Sequence, residues 1–181
     1  MSLAKKRIFL TLVLHLCLGF AFAETIVGKV VGVADGDTVT VLDATKTQHK
    51  IRLSGIDAPE KAQPFGQSSK ENLSRLVFGK HVLVDAGKFD RYGRTVGKVI
   101  VDGVDANLEQ VRAGYAWHYK KYEREQPIDD RGVYAQAEAG ARAGRVGLWH
   151  ERTQVAPWDW RGCRRKQPGT EGVDCGTRFR Q

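Results

Sequence analysis

Apolar and polar positions set out strands first. Residues 25–34 are rich in Val and Ile, with Gly28 and Gly32 placed where a barrel strand bends sharply. Asp35-Gly36 is a turn dipeptide that favours a two-residue hairpin. Residues 37–42 then alternate, Val39 and Val41 on one face and Thr38 and Thr40 on the other. A polar turn over 43–49 leads to a third strand over 50–56, where Ile51 and Leu53 share a face and Arg52 points the other way. The period then changes. Ser68 and Glu71 fit an S-x-x-E capping box, and Leu73, Leu76 and Val77 follow at helical spacing up to a C-terminal Gly79. Strands follow over 80–85 and 94–101, and Asp102-Gly103 turns the chain. Asp105 can cap a short helix through Leu108 and Val111 that ends at Gly114. An alanine-rich stretch over 130–145 has helical composition, and Leu148 and Trp149 should pack back on the body. Five strands with a helix after the third and helices at the end predict an α+β fold, a five-stranded OB-fold barrel with three helices.

The first 23 residues stand outside that pattern. Lys5, Lys6 and Arg7 precede an apolar run over 8–22, and Ala21-Phe22-Ala23 is an A-x-A site, which predicts a signal peptide cleaved after Ala23. The run is short for a membrane span. Three domains of organisation follow: a signal peptide (1–23), a barrel domain (24–152) and a basic C-terminal tail (153–181). The formal charge of the full chain is +8. The tail carries six basic against three acidic side chains, so it holds most of the attraction for polyanions. Pro157, Trp158 and Trp160 could dock it on the body, while the Gly, Pro and Arg content beyond Arg161 argues against regular structure there. Cys163 and Cys175 are the two cysteines left after processing, and in an exported chain they predict one disulfide. No further Cys or nearby His completes a zinc set, and His49, His81, His118 and His150 form no cluster by spacing.

The chemistry lies between 35 and 60. Asp37 opens the second strand and Asp57 follows the third, so an antiparallel pair brings them to one end of the ladder. Carboxylates suit a hard cation, and the carbonyl of Ala58 offers a third oxygen. Glu60, redirected by Pro59, is a spare carboxylate suited to activating a water. Arg52 adds a demand for an anion, and a cation beside an anion suggests a phosphate ester under attack. A second basic group, Asp90-Arg91-Tyr92-Gly93-Arg94, enters the last strand. Arg94 can fork onto phosphate oxygens as Arg52 can, and Arg91 with Tyr92 can hold a phosphate or stack on a base.

In combination, D-G-D-T-V, I-R-L, D-A-P-E and D-R-Y-G-R resemble the staphylococcal nuclease (thermonuclease) family, secreted calcium-dependent nucleases, over about 25–149. The resemblance implies calcium held by Asp37, Asp57 and the Ala58 carbonyl, Glu60 as general base, and Arg52 and Arg94 on the scissile phosphate. It implies Arg91-Tyr92 in place of a Lys-Tyr pair that contacts the nucleotide's other phosphate, and Tyr119 and Tyr122 as base-stacking tyrosines. It also implies cleavage of the P–O5′ bond of DNA or RNA, leaving a 3′-phosphate. Ala58 replaces the prototype's threonine, and the loop from Glu60 to Phe65 is shorter than the prototype's. The expectation is a secreted monomer, free of the membrane after processing, whose partner is nucleic acid and whose cofactor is Ca2+. Two rivals are an OB-fold module that binds nucleic acid without cutting it and an adhesive envelope protein that grips polyanions with its tail.

Overall fold

The computed structural model describes residues 24–152 and 154–165. The expected signal peptide and Cys175 lie outside the described residues. Strands β1 (Glu24–Asp35), β2 (Thr38–Asp43) and β3 (Gln48–Leu53) form the expected antiparallel meander. β1 also pairs with β5 (His81–Phe89), and β5 with β6 (Thr95–Val101), both antiparallel. β6 then runs parallel to β3 from Thr95 to Gly97 and closes a five-stranded barrel. β1 pairs on both edges, and its register with β2 shifts between Val30 and Gly32 and again between Val33 and Asp35, irregularities that bend a strand. Gly28 is forced by that closeness, since a Cβ there would stand 2.4 Å from the carbonyl oxygen of Leu42.

The alternation read from the sequence decides what fills the barrel. Val39, Val41, Ile51, Leu53, Val84 and Val99 point inward and are buried. Helix α1 (Gly66–Val77) closes one end with Leu73 and Val77, each fully buried and each worth about 1.5–3 kcal/mol of apolar transfer. The S-x-x-E motif does not start this helix. α1 begins at Gly66 behind Phe65, with no side-chain cap, and Ser68 lies within its first turn. The backbone decides the matter: Phe65 is held at φ 66°, and Gly66 packs so closely on Glu60 that a Cβ would lie 2.1 Å from its carbonyl oxygen.

Two further helices lie against the barrel, α2 (Ala106–Arg112) and α3 (Ile128–Ala143). Asp105 caps α2 as expected, accepting from the Leu108 amide at 3.1 Å, and its other oxygen accepts from the buried Tyr134 hydroxyl of α3 at 2.8 Å. The short strand β4 (Ile56–Asp57), just past β3, pairs with Trp117–His118. A last helix, α4 (Pro157–Arg165), packs on the same side; the sequence placed irregular structure beyond Arg161, but the helix runs on to Arg165. Packing outweighs local propensity there, because Trp160 and Cys163 are buried together with Val155 beside them. Cys163 is disulfide-bonded. Among the described residues no helix is long and apolar enough to cross a membrane.

Candidate active site

The hairpin between β1 and β2 is the base of the site. Asp35 pairs with Thr38 across a two-residue turn of Gly36 and Asp37. Gly36 has no room for a side chain, since a Cβ would lie 1.9 Å from Ser69 Oγ and 2.8 Å from the Ala58 Cβ. Its carbonyl accepts from Gln110 Nε2 of α2 at 2.7 Å. The turn is therefore pinned from below by α1 and α2, and the Asp37 carboxylate is fixed against the chain leaving β4. Asp37 Oδ2 accepts from the Ala58 amide at 2.7 Å, and Oδ1 accepts from Thr38 Oγ1 at 3.1 Å.

Arg52 stands between the two aspartates. Its Nη2 lies 2.9 Å from Asp57 Oδ1 and 3.2 Å from Asp37 Oδ2, while Nη1 donates to the carbonyls of Leu53 and Ile56 at 2.9 and 3.0 Å. Asp57 is almost completely buried. Burial pushes its carboxyl above the usual carboxylate range, against the pull of Arg161 and Arg52. Asp35, which the sequence reading treated as a turn residue only, lines the same cleft. Its own burial, then the charge of Asp37, pushes its carboxyl up to about 6.

Glu60 reaches the site from the loop after β4. Gln63 holds its backbone from both sides, accepting from the Glu60 amide at 3.1 Å and donating its own amide to the Glu60 carbonyl at 2.8 Å. Asp57 and Glu60 also meet through a residue the sequence reading counted only as tail charge. Arg161 of α4 donates to Asp57 Oδ2 at 2.7 Å, Asp57 Oδ1 at 3.2 Å and Glu60 Oε1 at 2.6 Å. No local pattern around Arg161 points to Asp57 or Glu60, which lie 104 and 101 residues earlier.

The other expected residues line the same cleft, of about 1090 Å³, with different engagements. Arg94 is folded back on Asp90, with Nε and Nη2 each 2.7 Å from Asp90 Oδ2, and Nη1 3.3 Å from Thr38 Oγ1. Backbone and side-chain bonds from Arg94 hold Asp90 below the usual carboxylate range, against a burial that alone would raise it. Arg91 and Tyr92 are exposed at the rim, the guanidinium donating to the tyrosine hydroxyl at 2.7 Å. Tyr119 and Tyr122 meet edge-on at 5.1 Å, and Tyr119 stacks on Trp158 of α4 at 5.5 Å and 11°. His49 bonds Asp43 away from the site, and His118 bonds Gln126.

Whether these residues fit a hard cation is a question of charge. Four carboxylates gather here, Asp35, Asp37, Asp57 and Glu60, against the contacting guanidinium groups of Arg52 and Arg161. The donors are all oxygen, as calcium prefers. By their chemistry the carboxylates of Asp37 and Asp57 and the carbonyl of Ala58 suit such a cation, and among the described residues no three His, Cys, Asp or Glu side chains stand together as a ready ligand set.

Comparison with known proteins places the whole chain in a family. Residues 50–151 match the family described as staphylococcal nuclease homologue. This chain belongs to the staphylococcal nuclease family. An uncharacterized endonuclease of Haemophilus influenzae is 39% identical over 158 residues, covering 86% of this chain and 85% of that protein. An uncharacterized endonuclease of Escherichia coli O157:H7 is 40% identical over 156 residues, 86% of this chain and 97% of that protein. A protein of Oryza sativa subsp. japonica named a probable staphylococcal-like nuclease is 43% identical over 123 residues, 68% of this chain and 35% of that protein. The α+β barrel with its helices is the fold expected of the family, and the chain is an endonuclease with nucleic acid as its substrate.

Proposed function

We propose that this endonuclease is an exported, monomeric, calcium-dependent phosphodiesterase that cuts DNA or RNA with little sequence preference and leaves 3′-phosphate ends. One observation carries the reading: Asp37, Arg52, Asp57, Glu60 and Arg94 line one cleft, with tyrosines at its rim. The residues that would hold calcium are Asp37, Asp57 and the carbonyl of Ala58. When bound there, the ion supplies Lewis-acid polarisation of a phosphoryl oxygen.

The chain's own residues account for the rest. Glu60 takes a proton from the attacking water as its oxygen bonds to phosphorus, which is worth about 10²–10⁴-fold. The P–O5′ bond breaks, and the departing 5′ oxygen takes a proton from solvent. Arg94 turns from Asp90 onto a non-bridging oxygen, and Arg52, already anchored by two carbonyls, adds positive charge beside it as negative charge builds. Arg91 and Tyr92 hold the neighbouring phosphate, and Tyr119 and Tyr122 offer ring faces to a base. Nothing in this set reads a base edge, which supports weak sequence preference. Export rests on the basic, apolar and A-x-A segments ahead of Glu24.

The test is digestion of plasmid DNA and of RNA by the mature protein in millimolar calcium, with and without chelator. Cutting should stop in chelator, and Glu60→Gln should lower kcat by about 10²-fold or more. Undiminished cutting in chelator, or by Glu60→Gln, would overturn the reading.

A further inference from the structure

Both oxygens of Asp57 and one of Glu60 are engaged by a guanidinium that comes from the far end of the chain. Arg161 Nη2 donates to Asp57 Oδ2 at 2.7 Å, and Nη1 is shared between Asp57 Oδ1 at 3.2 Å and Glu60 Oε1 at 2.6 Å. Asp57 Oδ1 also accepts from Arg52, so its lone pairs are directed at two guanidinium groups. A calcium ion would need the same oxygens at about 2.3–2.6 Å. A guanidinium and a divalent cation sharing those oxygens would repel one another strongly in a partly buried site. The two are alternatives.

The helix that brings Arg161 here is docked. Trp158, three residues earlier and on the same helical face, stacks on Tyr119 at 5.5 Å and meets Trp117 edge-on at 6.5 Å. Gln63, which holds the Glu60 backbone, also donates to the Val155 carbonyl at 2.5 Å. Trp160 and Cys163 of the same helix are buried, and Cys163 is disulfide-bonded. The guanidinium is therefore kept at high effective concentration beside the acids. Its side chain is still 37% exposed, which leaves a way out into the cleft without undocking α4.

We propose that Arg161 is an intramolecular competitor of the divalent cation, holding Asp57 and Glu60 in a closed pairing and setting the calcium concentration at which the site opens. The proposal rests on the calcium reading of Asp37 and Asp57. It makes Arg161 a positioning residue: it releases Glu60 for its water only when a cation takes over Asp57.

The experiment is calorimetric titration of calcium chloride into the mature protein with no nucleic acid present, for the unsubstituted chain, Arg161→Ala, Arg161→Lys and Trp158→Ala. Folding of each is checked by circular dichroism and thermal unfolding. Removing the competitor should tighten calcium binding by about tenfold, within the usual range for coupled sites. Arg161→Lys, a point charge without the fork, should fall between alanine and the unsubstituted chain. Trp158→Ala, which loosens the helix and keeps the arginine, should tighten binding by a smaller factor. Equal or weaker calcium binding by Arg161→Ala, in a chain that otherwise binds calcium, overturns the proposal and leaves the calcium reading standing. No binding by any of the four at millimolar calcium overturns both.

Discussion

Arg52 and Arg94 carry the same expected role on the phosphate, and the structure separates them by what else they hold. Arg52 is only 14% exposed and spans two carboxylates and two carbonyls, the latter closing the turn from β3 to β4. Arg52→Ala leaves Asp37 and Asp57 with one counter-charge fewer and frees the carbonyls of Leu53 and Ile56. Breaking a buried pair from one side costs about 3–5 kcal/mol, and the lower end applies because Asp57 keeps Arg161 and Asp37 keeps the Ala58 amide. A loss of about 3 kcal/mol corresponds to a Tm lower by about 6–12 °C for a chain of this size. Arg94→Ala, which removes a surface-rim pair with Asp90, should cost about 1 kcal/mol or less. Both should lose cutting activity. Denaturant unfolding of the two variants in chelator makes the comparison, with activity measured on the same preparations. Equal stability losses, or an Arg52→Ala protein within about 0.5 kcal/mol of the parent, would refute the assignment of Arg52 as a clamp.

Asp35 gives a pH dependence with a definite sign. Its folded carboxyl is raised to about 6, so in calcium-free protein its contribution is fully present at pH below about 4 and is lost as pH rises through about 6. Asp35→Asn should therefore stabilise the calcium-free protein by about 3 kcal/mol at pH 8 and by nothing near pH 4; a pH-independent difference in thermal unfolding would contradict the burial argument. Gln110→Met, close to isosteric, leaves the carbonyls of Gly36 and Ser69 short of a donor and Asn72 short of an acceptor in a fully buried place. That should cost about 2–3 kcal/mol in urea unfolding, and a shift under about 0.5 kcal/mol would show that the catalytic turn does not depend on α2.

The barrel was legible because its strands obey a period of two, and the burial of Val39, Val41, Ile51 and Leu53 follows from that period alone. The meeting of Asp37 with Asp57 was legible for the same reason: strand pairing fixes which ends coincide, and Thr38 does pair with Arg52. The start of α1 was not legible. A capping motif competes with the path of the loop ahead of it, and here Phe65 at positive φ and the contact of Gly66 on Glu60 set the boundary three residues early. Arg94 lines the cleft, and its pairing with Asp90, four residues earlier, is a contact that strand periodicity does not reveal.

Arg161 was out of reach of such reasoning, since no local pattern ties it to partners 101 and 104 residues earlier. Its presence does follow from electrostatics once the acids are seen together. A site that gathers Asp35, Asp37, Asp57 and Glu60 must have their charge offset, or the acids protonate or the turn opens. Two guanidinium groups meet that need, and their surroundings divide the task. Arg52 is enclosed and tied to carbonyl oxygens that would stay unsatisfied if it left, which makes it a permanent member of the site. Arg161 bonds Asp57 and Glu60 and also Tyr119 beside them, it is more exposed, and it sits on a helix that Trp158, Trp160 and Cys163 hold as well. A divalent ion can repay the loss of those carboxylate bonds, so Arg161 is the charge that can be exchanged.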